Sequence, residues 1–441
     1  MAILSKKYNK LIFLAVVLIS SIVLLNQFLN KSEVKESEKI KNFAVEQKQI
    51  LIDKSEDVAT LGYSGQRKIA KDTAGNFYIA YRKKYNGYYE IFVAKLTKGE
   101  NEKWLVSGTD NPIAFIKSDQ RVPSITIDSQ NILHLVWYGS DIEDERGNRQ
   151  IKYSKSIDGG KTWDNWKNIS PVLGYSGNDY WQEHPNMFGG SDDELYVVWE
   201  GKDIKNNHQQ IKFSKSMDSG QSWQNWINIG VSSKNSQSRP TIVQDKNGRL
   251  HVLMYSFLGG QAQQIQYSYS DDDGNNWSVW QNVSDSSFDS RHISVSIDKY
   301  NNLHAVWRAK YNDSKPTQIY YSVLENGKWQ KPVIVAESVN NQFFPNITID
   351  ESNAPFIVWV ESEKDYGFPK EWPEKGKIYA SYFLNKEDRF SNAEQLSFEN
   401  DNLYPNFLFK TDNFKNFPFI YTKIKNSVSE IILDWATNFD L

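Results

Sequence analysis

Cationic side chains recur along the chain beside short apolar segments that end in turn residues. A guanidinium group can form two parallel hydrogen bonds with one carboxylate, and aromatic rings nearby can stack on a sugar. Together these groups suit the binding of an acidic sugar. The candidate substrate-binding residues are Arg67, Arg82, Arg121, His184, Arg239, Arg291 and Arg308.

Candidate acid, base and nucleophile side chains occupy comparable positions. Tyr138, Glu200 and Tyr255 each follow an apolar segment, and Asp179 and Asp141 fall in long loops, 171–183 and 138–150. With His184 or Tyr255 as the base and an arginine neutralising a uronate carboxylate, such a set would suit a lyase.

A repeated unit positions these side chains. One copy spans residues 121–128, 132–137, 151–154 and 166–170, four short segments in which apolar and polar residues alternate as in β-strands. The period of about 56 residues predicts seven units. The first strands align at Arg67, Pro123, Pro185, Pro240, Ile293, Pro345 and Pro405. Because the first two strands are antiparallel, the start of the first and the end of the second lie on one face near the centre, called here the mouth.

The ends of the array predict a closed ring. The seventh unit has only three strand segments, whereas residues 49–52 form an apolar segment that precedes the first unit. We expect this N-terminal strand to complete the last unit, which removes exposed sheet edges as in a β-propeller. The predicted propeller therefore covers residues 48–441, and the predicted fold class is all-β.

Composition excludes several functional classes. The 51 basic and 54 acidic residues give a net charge of −3, whereas a general nucleic-acid binder needs a basic excess. The chain has no cysteine, which excludes disulfides, thiolate zinc sites and cysteine nucleophiles. Its six histidines form no zinc-protease motif. No metal, cofactor or nucleic-acid partner is expected.

The N-terminus is predicted to be a separate membrane element. Lys6, Lys7 and Lys10 precede an apolar stretch at residues 11–29, which we interpret as an uncleaved signal anchor. The basic flank places residues 1–10 in the cytoplasm and the propeller outside. Residues 30–47 are polar, and we predict that they form a solvated tether. If the segment is instead cleaved, the protein is secreted.

Three turn motifs follow the pattern S-x-D-x-G-x-T-W, with Ser222 and Asn276 replacing Thr in the second and third copies. Their Asp accepts backbone hydrogen bonds, their Gly relieves strain at positive φ, and their Trp packs into the sheet. We therefore expect these residues to be structural. They are Asp158, Gly160 and Trp163, Asp218, Gly220 and Trp223, and Asp272, Gly274 and Trp277.

These motifs resemble the Asp boxes of the sialidase-like, BNR-repeat superfamily. The resemblance implies a β-propeller, and six blades are the alternative to seven because true sialidases have six. It also implies a Tyr nucleophile, Tyr138 or Tyr255, with Glu200 as its partner. Asp179 or Asp141 would be the acid, and Gln120-Arg121-Val122-Pro123 resembles the motif of the first substrate-binding arginine. Arg239 is offset by one residue from Arg121 and Arg291, so strict alternation would point it the other way.

Two functions follow as expectations. In the first, the propeller binds and cleaves an anionic glycan at the mouth, as a glycosidase or a lyase. In the second, it is a non-catalytic scaffold that docks a protein or glycan partner, because propellers host many unrelated functions.

Overall fold

The computed structural model describes residues 49–437 with short gaps. The gaps are 63–64, 101–102, 142–148, 172–179, 191–192, 204–205, 231–234, 258–261, 313, 351, 365–372, 386, 398 and 410–415. The predicted anchor and tether, and the candidate acid Asp179, therefore lie outside the described residues. Within the part of the chain that is described, no helix is long and apolar enough to cross a membrane.

The described residues form seven antiparallel sheets, each a blade of a β-propeller. The all-β, seven-bladed prediction is confirmed and the six-bladed alternative is wrong. Blade one comprises β2 (Ile69–Lys71), β3 (Phe77–Tyr85), β4 (Tyr88–Lys98) and β5 (Trp104–Ser107). Blade two comprises β6 (Gln120–Ile127), β7 (Leu133–Gly139), β8 (Gln150–Ser156) and β9 (Lys167–Asn168). Blade three comprises β10 (Gln182–Gly189), β11 (Leu195–Asp203), β12 (Asn206–Ser216) and β13 (Ile227–Asn228).

The next blades repeat this order. Blade four comprises β14 (Gln237–Gln244), β15 (Leu250–Phe257), β16 (Gln263–Ser270) and β17 (Gln281–Asn282). Blade five comprises β18 (Asp289–Ile297), β19 (Leu303–Lys310), β20 (Gln318–Glu325), β21 (Lys328–Trp329) and β22 (Val333–Ile334). Blade six comprises β23 (Asn341–Ile349), β24 (Pro355–Ser362), β25 (Lys377–Leu384), β26 (Arg389–Phe390) and β27 (Glu394–Gln395).

The N-terminal strand closes the ring. Blade seven takes β28 (Asn402–Phe407), β29 (Asn416–Lys425) and β30 (Val428–Thr437) from the C-terminal end of the chain. Its fourth strand is β1 (Ile50–Ser55), which pairs with β30 through partners such as Ile50 and Leu433. This pairing covers an edge that would otherwise expose unpaired backbone groups.

The second strand of each blade lies between two neighbouring blades and is buried on both faces. The largest such side chains are Trp137, Trp199, Trp307 and Trp359, each at most 1% exposed. Two of these indoles donate to a glutamine at the start of the adjacent first strand, Trp137 to Gln120 at 2.9 Å and Trp199 to Gln182 at 2.7 Å. These bonds hold the strand ends at the mouth in a fixed position.

Arg67, in the segment that precedes blade one, reaches the first strands of blades three and four. The Arg67 guanidinium donates to Asn186 Oδ1 and the Met187 carbonyl, both at 2.8 Å, and to the Ile242 carbonyl at 2.7 Å. It also lies over the Phe409 ring, 4.5 Å from the centroid. Burial lowers the pKa of Arg67 to about 9. These contacts tie the first blade to the third and fourth.

The Asp boxes form the turns between the third and fourth strands of blades two to four. In the first, Asp158 accepts the backbone N–H groups of Lys161 and Thr162, both at 3.0 Å, and the Thr162 hydroxyl at 2.6 Å. The Thr162 bonds lower the pKa of Asp158 to about 2. The tryptophan of a box can contact the preceding blade. Trp223 of blade three packs edge-on against Tyr153 of blade two, with ring centroids 5.0 Å apart. The boxes thus join neighbouring blades, and their carboxylates are occupied by the turn.

Gly220→Ala should destabilise the protein by about 2–4 kcal/mol, which combines overpacking with left-handed strain. Gly220 has φ +75°, and a Cβ there would meet the Tyr153 hydroxyl at 1.7 Å. Gly248→Ala is the matched control because Gly248 has φ +86° but no described atom within 4 Å of a Cβ. It should cost only about 1 kcal/mol of strain. Thermal unfolding of both variants measures the difference, and equal losses would contradict the blade-to-blade contact.

Candidate functional site

Six of the seven blades carry the same backbone feature at the mouth. In each of these blades, a β-bulge shifts the register between the first and second strands, for example between Arg291 and Ser294. One residue of each bulge adopts a left-handed conformation with φ between 49° and 55°. These bulge residues are Val122, His184, Arg239, His292, Phe344 and Tyr404. Five of the six precede a proline, where propensity alone favours extended backbone.

The bulges change which side chains share the mouth. Strict alternation would send Arg239 and Arg291 to opposite sides of their sheets. Instead, Arg239 is the bulge residue of blade four, whereas Arg291 precedes the bulge of blade five. Both guanidinium groups lower the pKa of Tyr255. The bulge adds a residue to the first strand, so strict alternation does not determine the direction of the Arg239 side chain.

A histidine–glutamate pair is the best-defined contact at the mouth. His184 Nδ1 lies 2.8 Å from Glu200 Oε1, and the second oxygen of Glu200 accepts the backbone N–H of Arg239. Burial raises the pKa of Glu200, but His184 and Arg239 outweigh it, so its pKa lies below the usual 4.5. Burial and Arg239 hold the pKa of His184 below 6.5. At neutral pH a neutral imidazole therefore donates Nδ1–H to a carboxylate, which leaves Nε2 with the lone pair.

Tyr255 is under the electrostatic influence of Glu200 and of three arginines. It lies near the end of the second strand of blade four, opposite Ser238. Burial and Glu200 raise its pKa, whereas Arg239, Arg291 and Arg308 lower it, and the resulting pKa is about 12. The hydroxyl therefore stays protonated at neutral pH and can donate a proton.

Blade five contributes two arginines at paired positions of its first and second strands. Arg291 is held by both oxygens of Asp289, at 2.5 and 3.0 Å, and its register partner is Arg308. Burial and Arg291 lower the pKa of Arg308 to about 10. The ring of His292 lies 6.1 Å from that of Tyr255. The mouth cluster is defined here as His184, Glu200, Arg239, Tyr255, Arg291, His292 and Arg308.

Other predicted substrate-binding residues lie elsewhere. Arg67 precedes β2 and donates to oxygens of blades three and four, Asn186 Oδ1 and the Ile242 carbonyl. Arg82 forms a buried ion pair with Asp57. Arg121 pairs with Asp119 at 3.2 Å, with 35% of its side chain exposed. Arg82 and Arg121 line a separate cavity next to the mouth cluster.

The remaining catalytic candidates differ in their distance from the mouth cluster. The Tyr138 ring packs against the His184 ring at 5.2 Å, so Tyr138 borders the mouth cluster. Asp141 forms an ion pair with Lys152 at 2.6 Å and accepts a hydrogen bond from Asn168 at 2.9 Å, so two partners of its own blade contact its carboxylate. Asp179 lies outside the described residues.

Three potential metal ligands also come together. Donor atoms of Glu183, His184 and Glu200 lie within 4.8 Å of one another. However, Glu183 forms an ion pair with Arg149, and both oxygens of Glu200 already accept N–H groups. The arginines thus supply the positive charge that a metal would otherwise provide, and the contacts suit proton transfer better than metal ligation.

Sequence reasoning did not assign two residues that belong to this region. His292 has a visible signal, because the pairs Glu183-His184 and Arg291-His292 occupy the same offset in their units. Arg149 has no such signal in the sequence, because it follows a long loop that lies outside the repeat pattern. Its ion pair with Glu183 can be found only in three dimensions.

No known family model matches this chain, and neither does any curated protein.

Solved structures give a fold match at low identity. A protein of unknown function from Dyadobacter fermentans DSM 18053 is 14% identical with a TM-score of 0.51, over 71% of this chain and 94% of that chain. A Hadza microbial sialidase is 13% identical with a TM-score of 0.51, over 81% and 73%. An ulvan lyase, bound to a saccharide of glucuronic acid and sulfated rhamnose, is 10% identical with a TM-score of 0.58, over 88% and 96%. The chain therefore has a sialidase-like β-propeller fold.

Proposed function

We propose that this propeller is a polysaccharide lyase that cleaves a uronate-containing glycan by β-elimination at the mouth cluster. The observation that carries the proposal is the neutral His184, oriented by Glu200 at 2.8 Å, beside a protonated Tyr255 in the field of three arginines. A base, an acid and a carboxylate-binding group are the parts that this reaction needs. The similarity in fold to an ulvan lyase supports the same class of substrate.

Each part of the cluster has a role in this reaction. Arg239 and Arg308 would hold the uronate carboxylate, which lowers the energy of the carbanion that forms beside it. His184 Nε2 would take the proton from C5, and the C5–H electron pair would form the C4–C5 double bond. The C4–O bond would break, and the leaving oxygen would take a proton from Tyr255. Atoms and charge balance without an added water or oxidant.

A sialidase-like hydrolase is the second candidate, because Tyr255 lies in the field of Glu200 as a nucleophilic tyrosine would. In that mechanism the glutamate must accept the tyrosine proton. Glu200 instead directs its two oxygens to His184 and to the Arg239 N–H. This geometry favours elimination over hydrolysis.

Turnover of defined polymers tests the proposal. The intact protein would be incubated with ulvan, alginate, polygalacturonate, chondroitin and a sialylated glycan. We expect the ultraviolet absorbance of an unsaturated uronate to rise with one of the first four. Release of free sialic acid would instead favour the hydrolase. Binding without turnover would favour a non-catalytic recognition propeller and contradict the lyase proposal.

We also propose that residues 11–29 anchor the protein in a membrane with the propeller on the extracytoplasmic side. The support is the lysine-flanked apolar stretch in the sequence. The absence of cysteine allows a direct test with Val339→Cys, because Val339 is 92% exposed. A membrane-impermeant thiol reagent should label this variant in intact cells. Labelling only after lysis would contradict the proposal.

A further inference from the structure

A cavity lies next to the mouth cluster, where blades one, two and seven meet. Its volume is about 220 Å³, and its lining includes Arg82, Arg121, Val122, Tyr138 and Tyr404. This volume is below the roughly 300–1,000 Å³ of pockets that enclose drug-sized ligands, so it suits a single sugar unit. Two guanidinium groups and two tyrosines in one small cavity fit a sugar that carries an acid group.

The two arginines differ in how they could meet a ligand. Arg82 is fixed by its ion pair with Asp57 and lies over the Tyr89 ring at 5.0 Å, so it contributes mainly a fixed positive field. Arg121 is paired with the 44% exposed Asp119 at 3.2 Å. Exposed ion pairs of this kind are weak. A ligand anion can therefore compete for Arg121.

Tyr138 connects this cavity to the proposed reaction site. Its ring lines the cavity and also lies 5.2 Å from the His184 ring. A sugar in the cavity and a sugar at His184 are thus separated by one aromatic side chain. Consecutive units of a single polymer can occupy both positions.

We infer that the cavity between Arg82, Arg121, Tyr138 and Tyr404 is an extended subsite that binds a second acidic sugar of the same glycan chain. The inference rests on the proposed function, since it requires a uronate at His184. It makes the preferred ligand a polymer with at least two acid-bearing units, rather than a chain with a single acidic end.

Oligosaccharide binding to matched arginine variants tests the subsite. The probes are ulvan di- and tetrasaccharides, and Tyr255→Phe protein is used so that the probes are not consumed. Arg121→Gln is compared with Arg249→Gln, because Arg249 has the same side-chain exposure, 36% against 35%, and also pairs with an exposed aspartate. Isothermal titration calorimetry would give the dissociation constants.

We expect the tetrasaccharide to bind more tightly than the disaccharide. Arg121→Gln should weaken tetrasaccharide binding about tenfold, the contribution of one charge-assisted hydrogen bond. The dissociation constant of the disaccharide should not change. Arg249→Gln should alter neither. Equal affinity of the two probes, or an equal loss for both in Arg121→Gln, would overturn the subsite while leaving the lyase proposal intact. Failure of both probes to bind any of the proteins would overturn the subsite for ulvan, while turnover of the other polymers decides the lyase proposal.

Discussion

Tyr255→Phe is expected to abolish nearly all turnover while substrate still binds. The change removes one oxygen and keeps the ring that packs against His292 at 6.1 Å. Because the hydroxyl is the proposed acid, kcat should fall by about 10²–10⁴-fold, the usual contribution of a positioned proton donor. The measurement is the initial rate of double-bond formation on the polymer that the wild-type protein cleaves.

A control tyrosine is available in the same blade. Tyr267 is buried and its hydroxyl lies 2.9 Å from His251 Nδ1, outside the mouth cluster. Tyr267→Phe removes the same atom from the same sheet, so it should lower stability without lowering kcat at a temperature where it remains folded. If Tyr255→Phe retained wild-type kcat, Tyr255 could not be the acid.

Glu200→Gln should lower kcat by about 10²–10³-fold through the orientation of His184. The carboxylate now accepts from both His184 Nδ1 and the Arg239 N–H. A glutamine has one acceptor oxygen, so it can satisfy only one of these donors and would stabilise the wrong tautomer of the imidazole. Glu183→Gln is the neighbouring control, because Glu183 is bound mainly by Arg149, and it should cost much less.

The pH profile separates this role from a merely structural one. His184 acts as a base only when neutral, and its pKa lies below 6.5, so the acid limb of the wild-type profile should also lie below pH 6.5. Glu200 is one of the groups that raise the pKa of His184. Its replacement should therefore move the acid limb to lower pH in addition to lowering kcat. An unchanged acid limb would argue that Glu200 does not act through His184.

The fold was predictable because its signals repeat. A tryptophan near the end of the second strand and an Asp box after the third recur at one period, and each reflects the packing of one blade on the next. The apolar segment at residues 49–52 had no local partner, which pointed to β30 as the strand that it pairs with. These inferences depend on patterns that burial imposes on the sequence.

The site was only partly predictable because the bulges leave no clear sequence signal. Non-glycine residues such as His184 and Arg239 adopt positive φ just before a proline, where local preference favours extended backbone. The packing of neighbouring blades overrides that preference. Arg67 was misplaced for a different reason. Alignment of the repeats put it at the start of a first strand, but the first strand of blade one begins only at Ile69.

Product analysis in heavy-oxygen water tests the central claim most directly. The intact protein would be incubated in this water with the polymer that it degrades, and mass spectrometry would measure the masses of the fragments. Elimination predicts fragments with no solvent oxygen, each new non-reducing end lighter by one water than a hydrolytic end and carrying a C4–C5 double bond. Incorporation of one heavy oxygen at each cleaved bond would contradict the account and identify a hydrolase.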